Sequence, residues 1–286
     1  MRKIHGRLSL ILIQMTDLHV RPHGMPLARV GETNMLTERA LRAVRAFVPR
    51  PAALLISGDL TDNGLPTEYE ELASLLRRTI DLPTYMIPGN HDRREELKRQ
   101  MADWPGIGDD PEFVQYTVDH LPVRLVMLDT AMPHSSAGEL CERRMRWLDA
   151  TLAAEPHKPT LIAMHHPPFL TGIGHMDRIP LRNWREFQGL LARHRQVIRV
   201  VCGHDHRPII TQVAHTIGCI GPSVAHQVEL DLGPHQAPLW NLEPPAYLVH
   251  YWSETTGLVT HMGYVENYPG PYPFLLDPDY PGLPSR

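Results

Sequence analysis

The chain has 286 residues, a length that allows one large domain or two small ones. Its 28 Lys and Arg against 32 Asp and Glu give a net charge of -4, which disfavours a protein that binds long nucleic acids because there is no positive excess to neutralise phosphates. Three cysteines are too few for a disulfide framework and favour a cytoplasmic location. The 18 histidines are the unusual feature of the composition.

Apolar runs of strand length alternate with helix-like patterns over the first 200 residues. The strand-like runs cover residues 8–15, 53–57, 84–87, 124–128, 160–164 and 197–201. Helical periodicity covers residues 37–47, 67–79, 93–101, 138–154 and 182–195. Because the apolar runs are continuous, we expect strands that are covered on both faces. The alternation predicts an α/β fold with helices layered on a sheet.

The character of the chain changes after residue 207. Residues 209–215, 246–250 and 258–265 read as strands, and a Pro- and His-bearing stretch lies at 222–245. We predict a main domain over residues 1–207, a small β-rich appendage over 208–265, and a tail over 266–286 that packs back on the main domain.

The N-terminus imitates a signal peptide, because Arg2, Lys3 and Arg7 precede an apolar run. The run is short and no small-residue cleavage site follows it, so we interpret it as a buried first strand and keep secretion as the alternative. No stretch approaches the ~18–20 apolar residues that a membrane span needs.

Five of the predicted strands run into a short polar motif. The motifs are Thr16-Asp17-Leu18-His19, Ser57-Gly58-Asp59, Gly89-Asn90-His91-Asp92, Met164-His165-His166-Pro167-Pro168 and Gly203-His204-Asp205-His206. In α/β sheets, ligands bind outside the carboxyl ends of the strands. We therefore expect these five motifs to converge on one site.

The residue types in these motifs are those of a metal centre. Carboxylate, imidazole and amide oxygen without thiolate suit divalent ions such as Fe, Mn, Co or Zn. Seven candidate ligands are too many for one ion, whereas two ions that share one carboxylate would use them all: Asp17, His19, Asp59, Asn90, His165, His204 and His206. Such a pair binds a phosphoryl oxygen and activates water, which predicts a phosphoester hydrolase.

The five motifs, in this order, resemble the signature of the calcineurin-like metallophosphoesterases over residues 10–210. Within that superfamily the chain is similar to the class III cyclic-nucleotide phosphodiesterases, and resembles most the bacterial glycerophosphodiesterase branch. The stretch Val224-Ala225-His226-Gln227-Val228 adds to this likeness. The resemblance implies a four-layer α/β-β/α sandwich whose appendage caps the site and builds the interface of a dimer or higher homo-oligomer.

The resemblance also implies residue roles. One metal ion would be held by Asp17, His19, Asp59 and His206, and the other by Asn90, His165 and His204, with Asp59 bridging. His91 would face the substrate phosphate as a charge stabiliser or leaving-group acid, and His226 would support it from the appendage. Asn90, His91 and His226 would then contact the substrate. His166 is assigned a supporting or loop role, and the other eleven histidines are read as ordinary core or surface residues.

Two departures from related families bear on the substrate. The second motif lacks the Arg with which Ser/Thr protein phosphatases hold a dianionic phosphate, and the motifs lack the ligand Tyr of purple acid phosphatases. Both absences favour a diester over a monoester.

We therefore predict a dinuclear metal-dependent phosphodiesterase for small diesters, such as glycerophosphodiesters or 3′,5′-cyclic nucleotides. We expect no membrane among its partners. The alternatives are a catalytically silent binding scaffold of the same fold and a phosphomonoesterase. An HD-type phosphohydrolase is disfavoured, because those enzymes carry His-Asp pairs on helices and here the pairs follow strands.

Overall fold

A computed structural model of the protein describes residues 9–233 and 237–273. Its strands are Ser9–Met15 (β1), Ala53–Ile56 (β2), Thr84–Met86 (β3), Tyr116–Val118 (β4), Arg124–Leu128 (β5), Thr160–Met164 (β6), Val197–Cys202 (β7), Ile209–Val213 (β8), Thr216–Ile220 (β9), Gln227–Val228 (β10), Trp240–Asn241 (β11), Ala246–Ser253 (β12) and Gly257–Tyr264 (β13). Its helices are Thr33–Arg45 (α1), Pro66–Thr79 (α2), Arg94–Gln100 (α3), Glu142–Ala154 (α4) and Trp184–Leu191 (α5).

The strands form two large sheets. The first has the order β13-β12-β1-β2-β3, and the second has the order β4-β5-β6-β7-β9-β8. In the first sheet β1, β2 and β3 are parallel, and in the second β5, β6, β7 and β9 are parallel. The parallel strands β1, β2, β3, β6 and β7 are those whose carboxyl ends carry the polar motifs.

The two sheets pack face to face and carry helices on their outer faces. Along β5, Leu125 and Met127 enter the core between the sheets, whereas Val126 and Leu128 enter a second core beneath α4 and α5. This alternation follows from the two-residue period of a strand. The α/β fold class and the four-layer arrangement expected from the sequence are confirmed.

The strands after residue 207 do not form a separate layer. β8 and β9 extend the second sheet, and β12 and β13 extend the first sheet by pairing with β1. The sequence predicts an appendage over 208–265, but β12 is buried on both faces and belongs to the main core. Outside the two sheets lies the ribbon, which we define as β10 and β11 with the described residues 229–233 and 237–239 between them. Four strands, β4, β9, β10 and β11, are not among the predicted elements.

The predicted tail falls largely on residues 274–286, outside the described residues. Val265, just before the tail, is buried, and Glu266, its first residue, forms an ion pair with Arg39 of α1. Among the described residues, none of the helices has both the length and the apolar character needed to cross a membrane.

A polar chain runs through the core between the sheets, behind the carboxyl ends of the strands. His250 Nε2 lies 3.1 Å from Gln14 Oε1, and its Nδ1 lies 2.9 Å from Thr260 Oγ1. Gln14 in turn donates to Ser57 Oγ at 2.9 Å and to the Cys202 carbonyl at 2.8 Å. Each of these buried polar groups is therefore compensated by a partner, which ties the two sheets together.

We expect His250→Gln to reduce the acid sensitivity of the fold. Burial, and then the charge of Arg199, lower the pKa of His250 to about 3, whereas the unfolded chain has the ordinary value of 6.5. The neutral ring therefore stabilises the fold fully above pH 6.5, and this contribution is lost as the pH falls from 6.5 towards 3.

The measurement is the free energy of unfolding in urea between pH 4.5 and 7, for both proteins. Because other titrating groups cancel in the comparison, the difference in slope should approach about 1.4 kcal/mol per pH unit. Identical slopes would show that His250 does not gain protons on unfolding.

Candidate metal centre

The carboxyl ends of five parallel strands meet at one edge of the two sheets. The Asp17 carbonyl lies 2.8 Å from the hydroxyl of Ser223, and the Asp17 carboxylate accepts a hydrogen bond from the His204 amide at 3.1 Å. The first motif thereby contacts the last one, 187 residues along the chain. The structure brings together all seven predicted ligands: Asp17, His19, Asp59, Asn90, His165, His204 and His206.

Five of these seven residues have left-handed backbones. Their φ angles lie between 46° and 76°, at Asp17, His19, Asp59, His204 and His206. Such a conformation costs a non-glycine residue about 1–3 kcal/mol, and it persists where the surrounding structure requires it. These five residues lie in the tight turns that directly follow β1, β2 and β7.

Four side chains form the first cluster. His19 Nε2 lies 3.2 Å from His206 Nε2 and 3.6 Å from Asp59 Oδ2. His206 Nε2 also lies 3.4 Å from Asp17 Oδ1. All four residues are buried, so two carboxylates and two imidazoles converge away from solvent.

The second cluster contains the other oxygen of Asp59. Asp59 Oδ1 lies 3.4 Å from His165 Nε2, while Asn90 Oδ1 lies 3.1 Å from the same nitrogen. His204 Nδ1 completes the group at 2.9 Å from Asn90 Oδ1. Asp59 thus presents one carboxylate oxygen to each cluster.

The outer nitrogen of each imidazole is held by a hydrogen-bond acceptor. His165 Nδ1 donates to the Ser57 carbonyl at 2.9 Å, and His206 Nδ1 donates to the His226 carbonyl at 2.9 Å. His204 Nε2 donates to the Ile179 carbonyl at 3.0 Å. These bonds fix the tautomers and leave the lone pair of the inner nitrogen directed into the cluster.

His19 is held in the same way by Asp62, which is not among the predicted site residues. His19 Nδ1 donates to Asp62 Oδ1 at 3.1 Å. Arg21 donates to Asp62 Oδ2 at 3.0 Å and also to Glu68, whose side chain is fully buried. The sequence signal was the position of Asp62, three residues after Asp59 in the same turn. Most isolated arginines on a protein surface are simply solvated. Arg21 instead supports the site, because it holds Asp62 in place.

In the neutral form of the rings, which is the form that binds metals, the inner atoms of both clusters are acceptors that face one another. With their outer nitrogens donating, His19 Nε2 and His206 Nε2 carry opposed lone pairs only 3.2 Å apart. In the second cluster the Asn90 oxygen faces the inner nitrogens of His165 and His204. Opposed lone pairs are unfavourable unless a cation lies between them. The donor set and its geometry therefore fit a divalent metal ion at each cluster.

A comparison of the sequence with known families gives one match across most of the chain. The sequence profile of the calcineurin-like phosphoesterases matches residues 11–208. The chain belongs to the calcineurin-like phosphoesterase family. The resemblance seen in the five motifs is thereby confirmed.

Curated relatives of this phosphoesterase extend over nearly the whole chain. A protein of Arcobacter nitrofigilis named "Probable glycerophosphodiester phosphodiesterase GpdQ" is 34% identical over 93% of this chain and 97% of its own length. A "Glycerophosphodiester phosphodiesterase GpdQ" of Enterobacter lignolyticus is 30% identical over 84% of this chain and 86% of its own. A "Probable cyclic nucleotide phosphodiesterase" of Rhodopseudomonas palustris is 34% identical over 87% and 90%.

Solved structures share the fold of this phosphoesterase. A dimetal phosphatase from Danio rerio superposes with a TM-score of 0.61 at 17% identity, covering 88% of this chain and 98% of that one. GAP50, described as the anchor in the inner membrane complex of Plasmodium, superposes with a TM-score of 0.63 at 12% identity, covering 90% and 85%. At these identities the likeness shows the fold alone.

Two further histidines lie beside the clusters of the phosphoesterase. The ring of His91 is 4.7 Å from that of His19, and its side chain is 41% exposed. His91 Nδ1 donates to the Asp62 carbonyl at 2.7 Å, and its amide donates to Asp59 Oδ1 at 2.9 Å. The ring of His226 lies 4.5 Å from that of His206, and its buried Nδ1 has no hydrogen-bond partner among the described residues.

His166 lies next to the second cluster but is held by other groups. Its Nδ1 lies 2.8 Å from the Thr130 hydroxyl, and its Nε2 lies 3.2 Å from the Ser136 carbonyl. Both ring nitrogens thus have partners outside the cluster. Its ring packs 4.6 Å from that of His204, so it supports a predicted ligand by contact.

Burial and neighbouring charges together set the pKa values of the side chains at the centre. Burial disfavours a charged Asp59, but His165 and His91 outweigh it and hold the pKa of that carboxyl well below its usual range. Burial likewise opposes a charged His165, and Asp59 and Asp17 outweigh it and raise its pKa to about 9. Burial lowers the pKa of His204 to about 3, which keeps this ring in the neutral form that binds metals.

Two glycines permit this packing. A side-chain carbon on Gly58, whose φ is +101°, would collide with the ring of His165. A side-chain carbon on Gly89 would collide with the Asp59 carboxylate. The glycines of the second and third motifs therefore allow the backbone to approach these predicted ligands closely.

Proposed function

We propose that this phosphoesterase hydrolyses small phosphodiesters, with one divalent metal ion held at each cluster. The observation that carries the proposal is the division of the Asp59 carboxylate between two groups of opposed acceptors. Relatives at 30–34% identity whose names are those of phosphodiesterases support it. When bound, the metal ions would supply Lewis acidity towards a phosphoryl oxygen and acidify a water molecule.

The ligand assignment follows from the two clusters. We assign Asp17, His19, Asp59 and His206 to one ion, and Asp59, Asn90, His165 and His204 to the other. The buried bonds from Ser57, Asp62, Ile179 and His226 to the outer nitrogens orient these rings before any substrate binds. Such preorganisation lowers the reorganisation needed during reaction.

The substrate phosphate would be met by His91. Because His91 Nδ1 donates to the Asp62 carbonyl, the other nitrogen, Nε2, is left for the substrate. A protonated His91 would donate from Nε2 to a phosphate oxygen or to the departing alcohol. His226 would contact the same phosphate from the ribbon side, and Asn90 from the second cluster, since both line the cavity over the clusters.

A diester fits this site better than a monoester does. The cavity over the clusters has a volume of about 290 Å³ and is lined by His19, Asn90, His91, His226 and neighbouring residues. Within the part of the chain that the structure describes, no Lys or Arg lines it. Arg93 and Arg94 line the neighbouring cavity, so the space directly over the clusters has no cationic clamp, which suits the single negative charge of a diester.

Metal identity, location and assembly complete the proposal. The oxygen and nitrogen donors suit Fe, Mn, Zn or Co. The three cysteines are unpaired, which supports the cytoplasm as the location. Leu230, Leu232, Leu239 and Leu242 are exposed on and beside the ribbon, which supports a homo-oligomer that forms through this segment.

Removal of metal should abolish hydrolysis of bis(p-nitrophenyl) phosphate. We expect the rate to fall by about 10³-fold after chelation and to return when Mn or Co is added. The measurement is p-nitrophenolate release alongside the metal content per chain. A metal-stripped protein that stays as active as the loaded one would refute the proposal, and loaded protein without turnover would favour the silent scaffold.

Asn90→Ala should empty the second cluster selectively. The variant loses the oxygen that faces both His165 and His204, so we expect about one metal ion per chain instead of two and a rate lowered about 100-fold. Asn267→Ala, an exposed asparagine after β13, serves as the matched control because it lines neither the clusters nor the cavities beside them. An Asn90→Ala protein with two ions and an unchanged rate would contradict the assignment.

A further inference from the structure

Two cavities meet at the candidate metal centre. One is the cavity of about 290 Å³ over the clusters, and the other, of about 400 Å³, lies beside it. Asp62, Asn90 and His91 line both. A phosphate held between Asn90 and His91 would therefore have room for a substituent on either side. We call the first the ribbon cavity and the second the α3 cavity, after the elements beside them.

The outer wall of the ribbon cavity is apolar. Leu27, Met176, Val228, Leu239 and Trp240 line it. Val228 anchors the ribbon because it packs in a small buried cluster with Met176. The Trp240 ring stands edge-on to the His226 ring at 5.2 Å, so an aromatic surface lies against a histidine that we propose to contact the phosphate.

The α3 cavity is polar and charged. Asn63, Arg93, Glu95 and His134 bring the charged and polar groups, at and before the start of α3 and on the facing loop, and Ala131, Met132 and Pro133 of that loop add an apolar part. The neighbouring Arg94 is bound to the Asp129 carboxylate at 2.7 Å. Arg93 is exposed and has no ion-pair partner among the described residues, so its guanidinium is free to donate hydrogen bonds to a ligand.

We propose that the site prefers an unsymmetrical phosphodiester, with an aromatic or apolar alcohol in the ribbon cavity and a hydroxyl-bearing alcohol in the α3 cavity. This inference rests on the proposed function and specifies its substrate class. A diester has two ester arms, and the two cavities differ in chemistry as the two arms would. A 3′,5′-cyclic nucleotide carries both ester oxygens on one sugar and cannot place two independent ester arms in the two cavities, so it is the poorer substrate.

The test uses three diesters and two variants of the metal-loaded protein. The esters are glyceryl phenyl phosphate, diphenyl phosphate and diglyceryl phosphate. The variants are Trp240→Ala and Arg93→Ala, with Ile210→Ala on β8 and Arg99→Ala as matched controls that line neither cavity. Each kcat/KM is divided by that of the unchanged protein on the same ester, which cancels the intrinsic reactivity of the ester.

Trp240→Ala should lower kcat/KM by about tenfold on the two phenyl esters and by less than threefold on diglyceryl phosphate. Arg93→Ala should lower it by about tenfold on the two glyceryl esters and by less than threefold on diphenyl phosphate. Both losses should reside mainly in KM, with two metal ions retained per chain. Trp240→Leu keeps apolar bulk in the ribbon and should show a smaller loss on phenyl esters than Trp240→Ala.

An equal loss on all three esters for either variant would overturn the proposal, as would a 3′,5′-cyclic nucleotide that outperforms glyceryl phenyl phosphate in kcat/KM. These outcomes differ from failure of the proposed function. In that case the unchanged, metal-loaded protein would hydrolyse none of the esters.

Discussion

Asp59→Asn should remove nearly all activity and most of the bound metal. The two oxygens of Asp59 face different clusters, one towards His19 and one towards His165. The amide of the variant keeps one neutral oxygen but turns an NH₂ group towards the other cluster, where it repels a cation. We expect a fall in kcat of about 10⁴-fold on bis(p-nitrophenyl) phosphate, with fewer than one metal ion per chain.

The control for this variant is Asp81→Asn, an exposed aspartate whose carboxylate pairs with Arg50 far from the site. Metal content by mass spectrometry and the urea midpoint of unfolding separate loss of metal from loss of fold. Two ions and a rate within tenfold of the unchanged protein would show that Asp59 does not bridge the clusters.

His91→Ala should lower the rate strongly while leaving metal binding intact. His91 is half-exposed beside the clusters, and the ligands do not depend on its ring. General acid and charge-stabilising groups of this kind contribute about 10²–10⁴-fold. We expect kcat on bis(p-nitrophenyl) phosphate to fall by about 10³-fold with two metal ions retained.

The leaving group separates the two roles of His91. If the ring donates a proton to the departing alcohol, the loss should be larger for a diester of an alkyl alcohol than for p-nitrophenolate, which needs no proton. A similar loss of kcat on both diesters would show that the His91 ring acts by stabilising charge. His261→Ala, an exposed histidine on β13, is the control. Unchanged kcat in His91→Ala on both substrates would remove His91 from the mechanism.

Much of the site could be predicted because its signal is local. Each predicted ligand follows a continuous apolar run, and a buried parallel strand has to deliver the next residues to the carboxyl edge of its sheet. The residue types then restrict the chemistry, since Asp59, Asn90 and His165 offer oxygen and nitrogen donors without sulfur. All seven predicted ligands meet, and the family and the fold class are confirmed.

The supporting groups could not be predicted because their signal is not local. The Ser57 and His226 carbonyls are common backbone atoms, and only the fold shows that they hold the outer nitrogens of His165 and His206. Asp62 looks like an ordinary turn residue until its carboxylate is seen between His19 and Arg21. The same holds for Trp240, which reaches the site through the ribbon.

The 18 histidines that stand out in the composition illustrate the difference between what the sequence determines and what only the fold decides. By itself the sequence determined which of them follow strands, and hence the metal-binding character of the protein, because strand ends are set by local apolar patterning. Only the tertiary structure decided that residues after 207 complete both sheets, and that one carboxylate faces two clusters. Pairing between distant strands and the direction of a side chain depend on contacts far apart in the chain, which no local pattern encodes.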